Sequence, residues 1–456
     1  MHLLGLICWV VIGGILLAAP LVDVIPGISW YDQQRVLQIF AIVVAGMGLL
    51  SHHWMRVERL TRSGLWLILA LGGLSSLMGG HWLWSLTELA TFCSLFLLTL
   101  FTASLVAQRG WAAPIILKLA IFISVALIAK FLVSIVSAVS FELPLYPQAL
   151  MSGFDNIRFF GQFQTMTIPL MVAIPVLFAR GKGCGALMGV VLVASWFVCI
   201  IGGTRGSWVA LVSVMFVFFL MGAVWRHWAL VQVAALSVAI VLYLGMFSFV
   251  SAELVSGGGG RLVLSSSGRV ELWSAALSGF LEKPFFGVGP MGFAALDYLH
   301  SYHPHNVLLQ LGYEWGGLAL GVSLLVLGRL LWLVYKHEAR RAEQPCMERV
   351  AVLASILAAG LHSLVSGVFV VPYTQLWLAV LVGVYWGLSD SMAMCSGGWG
   401  RRSRNYPAIV LFAAAVLWLV FVVYRDLPGK ITAETTPGQG MRFWTDGQID
   451  NRIPSR

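Results

Sequence analysis

Charge is what this chain has least of. Only 10% of its 456 residues are Asp, Glu, Lys or Arg, against about 25% in an average soluble domain. With 59% hydrophobic residues, that scarcity excludes an ordinary water-soluble enzyme. Cysteine is sparse as well: Cys8, Cys93, Cys184, Cys199, Cys346 and Cys395 fall in apolar runs or short basic loops. None lies in the longest polar segment, so the sequence gives no disulfide framework. No GxSxG, Walker A, HExxH or CxxC pattern is present, which removes the usual serine-hydrolase, P-loop, zincin and thiol-redox readings. The net charge of +9 needs no nucleic acid, because a bilayer protein collects Lys and Arg on one side for orientation alone.

What the chain has in abundance is apolar runs long enough to cross about 30 Å of hydrocarbon. Spans are expected near 3–19, 36–52, 64–79, 83–106, 114–138, 163–179, 186–202, 207–224, 229–249, 306–335, 350–371, 373–393 and 407–424. The expected fold is all-α, a polytopic transmembrane bundle of 12–13 spans with one long outside loop, 250–305, carrying short helices. The first run lacks a basic leader and reads as a retained span. With the N-terminus inside, the inner loops and their flanks hold sixteen Lys and Arg, and the outer ones six before the tail. Four regions follow: spans 1–185, a core 186–335 around the long loop, spans 336–424, and a polar tail 425–456. The tail's Gly, Pro and charge content suggests little packed structure.

The outside arginines run against the orientation bias. Arg205 sits in "IGGTRGSW", where flanking glycines and a helix start suit an anion, although an interfacial arginine can also snorkel there. Arg269 opens an amphipathic helix at Ser267 or Gly268, where it opposes the helix dipole unless an anion is bound. Arg158, in "DNIRFF", either joins them or pairs with Asp155, and Arg261 reads as a flexible-loop charge. Within the spans, Lys130 and Glu88 are costly unless paired, and pairing with each other is the simplest expectation. In "SYHPHNVLLQ", His303 precedes a proline, while His305 and Asn306 are expected to open the next span. The positive end of that helix would keep the imidazole neutral and able to accept a proton. The competing reading is a metal site from Asp297, His300, His303 and His305.

The pieces "GGTRGSW", "SSGRVELWSAALSGFLEKPFFGVGPMGF" and "HPHNVLLQLGYEWGGLAL" resemble, in that order, the O-antigen ligase and polymerase superfamily. The resemblance covers roughly residues 190–330 and implies a metal-independent, GT-C-like inverting glycosyltransferase with no cofactor. Such an enzyme would sit in the bacterial inner membrane with its site facing the periplasm. It would move a glycan from undecaprenyl diphosphate to lipid A-core oligosaccharide. Carried over, Arg205, Arg269 and His305 are the catalytic set, with Arg158, His303 and Asn306 binding substrate. A polymerase, a protein O-oligosaccharyltransferase and a lipid-linked glycan transporter are the alternatives.

Overall fold

The structure is a computed structural model that describes residues 2–50, 55, 57–143, 150–178, 182–249, 268–296, 299, 301–340, 346–389, 406–432 and 441–444. Arg261, Asp297, His300, Ser267, Cys395 and most of loop 250–305 before Gly268 lie outside the described residues. The described secondary structure is helical: α1 (His2–Leu21), α2 (Trp30–Leu49), α3 (Arg59–Met78), α4 (Trp82–Gln108), α5 (Ala112–Ser140) and α6 (Ile157–Phe178) come first. Then follow α7 (Lys182–Ile201), α8 (Arg205–Phe219), α9 (Ala223–Phe249), α10 (Arg269–Glu282), α11 (Val307–Arg340), α12 (Met347–His362), α13 (Pro372–Leu388) and α14 (Tyr406–Ile431). The expected spans fall on these helices, although α12 ends nine residues before its expected span does, and α10 lies in the long loop. Among the described residues, nine helices are long and apolar enough to cross a membrane. The chain is an all-α, multi-pass membrane protein.

Helices α4 and α6 are enclosed over most of their length, and α4 packs against α2, α3, α13 and α14. Small residues permit the close approach. A Cβ on Gly383 would lie 2.7 Å from Thr102, and one on Gly387 2.6 Å from Val106, so α13 and α4 meet nearly backbone to backbone. Helix α2 starts six residues before the expected span because its polar first turn is satisfied rather than solvated. Ser29 caps Asp32 N, and the Asp155 carboxylate accepts Trp30 N at 3.0 Å and Tyr31 N at 2.7 Å. Arg35, one of the outside arginines, is buried there. Its five N–H groups reach Phe443 O, Gln38, Gln375, the Tyr31 hydroxyl and Val370 O.

Helix α11 is broken at Gly316 (φ 83°, ψ 169°). The backbone of 284–289 lies across the break. Gly317 N and Leu318 N donate to Pro284 O and Phe285 O, while Val288 N and Gly289 N donate to Tyr313 O and Glu314 O. Gly287 (φ 68°) and Gly289 (φ 98°) make that path possible, and a Cβ on Gly287 would strike Tyr313 O at 2.5 Å. The P-x-x-G-x-G and E-x-G-x-x-G pieces of the sequence are therefore two halves of one joint.

Two expectations fail. Lys130 is exposed on α5 and does not pair with Glu88, which instead binds Arg442. The tail is not loose throughout: α14 continues to Ile431, and Met441, Arg442, Phe443 and Trp444 are buried. Composition pointed to solvent, but buried partners supplied by α2, α4 and α11 compensate the desolvation of Arg442.

Candidate functional site

One end of the bundle gathers the polar loops, and packing between α6 and the 202–207 turn begins the site. Gly161 faces Thr204 so closely that an added Cβ would sit 2.7 Å from the threonine Cβ, and Ser207 Oγ donates to Gly161 O at 3.0 Å. That crossing sets Arg158, at the start of α6, beside Arg205, at the start of α8. Asn156 caps α6 through Arg158 N. Asp155 accepts the N–H groups at the N-terminus of α2, so of the two readings of Arg158 the pairing with Asp155 gives way to the one that sets it with the other arginines.

Arg269 arrives on α10. The N-cap is Gly268 in the left-handed region (φ 71°), with no side-chain cap. One turn on, Trp273 Nε1 donates to Pro304 O at 2.9 Å, while Leu272 and Ala276 pack with Phe293, Leu299 and Tyr313. The G-R-x-x-x-W spacing thus ties Arg269 to the His303–His305 turn. Arg269 is half-buried; burial first, then the like charges of Arg158 and Arg205, push its guanidinium below the ordinary range. Three cations within electrostatic reach of one another form a site suited to a multiply charged anion.

His303 is buried and His305 half-buried, their rings edge to face at 4.1 Å. The hydrogen bonds assign the protons. Ser301 Oγ donates its one hydrogen to His303 O, so it accepts from His305 Nε2 at 3.3 Å. His305 N donates to His303 Nδ1 at 3.2 Å, so His303 carries its proton on Nε2, against Gly367. Burial, then His305 and Arg442, hold His303 well below the ordinary imidazole range. His305 does not open α11 as expected. It takes a left-handed conformation (φ 54°), and Asn306 is the cap, accepting Leu308 N at 3.0 Å and Leu309 N at 3.1 Å. The dipole argument for His305 gives way to tautomer control by Ser301.

Residues 190–324 match the family model described as O-antigen ligase. That segment is similar to the O-antigen ligase family. Comparison with curated proteins gave no match. The ligase segment contains Arg205, Arg269, Trp273, His303, His305 and the α11 joint, while Arg158 and the tail lie outside it. The family implies a glycosyltransferase-like enzyme, and the spans place it in a membrane.

Two neighbours of the ligase segment escaped the sequence reading. His362, at the end of α12, is buried with Nδ1 2.9 Å from Thr165 Oγ1. Thr165 donates its hydroxyl hydrogen to Gly161 O, so it accepts from Nδ1, and the unprotonated Nε2 of His362 abuts Gly206, next to Arg205. The adjacent Ser363 O accepts Val307 N, docking α11 on α12. The second neighbour is Arg442, which forks onto Glu314 and also reaches Glu88 and Tyr302 O. Of the four proposed metal ligands, Asp297 and His300 lie outside the described residues, and the described ones contain no cluster of three His, Cys, Asp or Glu. His303 Nδ1 and His305 Nε2 are both engaged within their own turn.

Proposed function

We propose that this protein is an O-antigen ligase of the bacterial inner membrane. It transfers a glycan from undecaprenyl diphosphate to lipid A-core oligosaccharide at the periplasmic face. The observation that carries the reading is the convergence of Arg158, Arg205 and Arg269 beside the His303–His305 turn. Bidentate guanidiniums bind the diphosphate and take up its negative charge as it leaves. His305 Nδ1 accepts the hydrogen of an acceptor hydroxyl. That oxygen bonds to the anomeric carbon from the face opposite the diphosphate. The carbon–oxygen bond to the diphosphate breaks with its electron pair, so configuration inverts. His303 and Asn306 sit next to the base and complete the acceptor side. The chemistry needs no metal, since the arginines supply the positive charge.

The acceptor is tested with purified protein and undecaprenyl diphosphate-linked glycan, offered lipid A-core, a second lipid-linked glycan, or a Ser/Thr-rich protein in turn. Transfer to lipid A-core alone is expected. Chain extension on the lipid-linked glycan would make the protein a polymerase, and labelled protein an oligosaccharyltransferase. Donor binding with movement across a vesicle but no transfer would make it a transporter.

A further inference from the structure

Among the described residues, the tail enters the interior of the bundle at 441–444, and it does so with a charge. Arg442 is 2% exposed and Glu314 fully buried. Arg442 Nη1 donates to Tyr302 O at 3.2 Å and to Glu314, while Nη2 donates to Glu314 at 2.9 Å and to Glu88 of α4. Glu314 in turn accepts Phe293 N at 3.2 Å and Gln310 Nε2 at 3.2 Å. Burial opposes the Arg442 charge, but Glu314 and Glu88 more than offset it and hold the guanidinium above its ordinary range. The following residue is anchored separately, Phe443 O on Arg35 Nε and the Phe443 ring 4.8 Å from the Arg35 guanidinium.

A buried ion triad is a poor source of stability, because desolvating three charges costs about as much as their attraction returns. What it does supply is geometry. Tyr302 is the residue before His303, and Phe293 packs with α10, which carries Arg269. One planar fork therefore fixes both the turn bearing the base and the turn beneath the arginine helix. We propose that Arg442 is a positioning residue of the transfer site, holding the His303–His305 turn in register with α10 by bridging Glu314, Glu88 and the Tyr302 carbonyl. The inference rests on the ligase reading and extends the catalytic unit to the C-terminal segment, beyond the part that matches the family.

Full-length Arg442→Lys separates this role from simple folding, since lysine keeps the charge but cannot span two carboxylates and a carbonyl. Kinetics are read per undecaprenyl diphosphate-binding site, which removes any unfolded fraction. The expected result is a kcat lower by about 10²-fold and an unchanged donor KM. Wild-type kcat per site, or a loss that vanishes on normalisation, would overturn the proposal. Should Arg442→Lys fail to accumulate, Glu88→Gln removes one anchor only and is expected to lower kcat several-fold on the same scale; unchanged kcat there would also overturn it. His305→Ala is run alongside. If that variant is fully active, the base role of His305 fails; if no variant or wild-type protein transfers glycan at all, the ligase reading fails; if His305→Ala is dead while Arg442→Lys is normal, only the role of Arg442 fails.

Discussion

At the scale of single residues, the site was legible where a side chain broke a rule. Arg205 and Arg269 stood out because arginine on the outer side defies the orientation bias, and His305 because it lay at the lip of a span. Each should carry function if the diphosphate is bound by forked guanidiniums. Arg205→Ala and Arg269→Ala are expected to abolish transfer at near-normal expression, with Lys restoring only part of the rate, measured in purified protein. Full activity of either Ala variant would remove that arginine from the site. His303 makes a separate prediction. Its folded pKa is depressed, so below about pH 6.5 the unfolded chain binds a proton that the folded chain refuses. Stability is then lost as pH falls through that range, and His303→Gln should flatten the slope in thermal unfolding scans. What the sequence concealed at this scale were residues whose meaning depends on distant partners. Asp155 looked like a mate for Arg158 and is a cap for α2. His362 carried no signal in the sequence, since its partners Thr165 and Gly206 lie on other helices.

At the scale of elements, hydropathy located the helices, nine of which, among the described residues, are long and apolar enough to cross a membrane, because apolar length is a local property. The joint between residues 284–289 and the broken α11 was visible only as glycine spacing. Its reason is three-dimensional: the Phe285 carbonyl and the Phe286 backbone occupy the space where a Cβ on Gly316 would go. Gly316→Ala is therefore expected to cost about 1–3 kcal/mol or more in stability, read as a lowered midpoint in thermal unfolding, with kcat falling as α10 loses its seat. An unchanged midpoint and rate would mean the joint is adjustable. Helix boundaries moved where polar turns were satisfied internally, as at the start of α2, since a buried Asp32 or Arg35 reads as solvent-exposed in one dimension.

At the scale of the whole molecule, polar loops far apart in the chain converge at one end of the bundle, and the tail returns to join them. Composition could not show this, because buried charges are paired across hundreds of residues: Glu88 with Arg442, Arg35 with Gln375. The assembled charge is cationic, so transfer should persist in EDTA; loss that zinc alone restores would return the histidine turn to the metal reading. In the proposed mechanism His305 accepts the proton while the arginines hold the donor. The most direct test is single-turnover transfer by His305→Ala, with donor affinity measured separately on undecaprenyl diphosphate. A rate lower by about 10² to 10⁴-fold with donor affinity unchanged is the expected result. A wild-type rate, or donor affinity lost together with the rate, would contradict it.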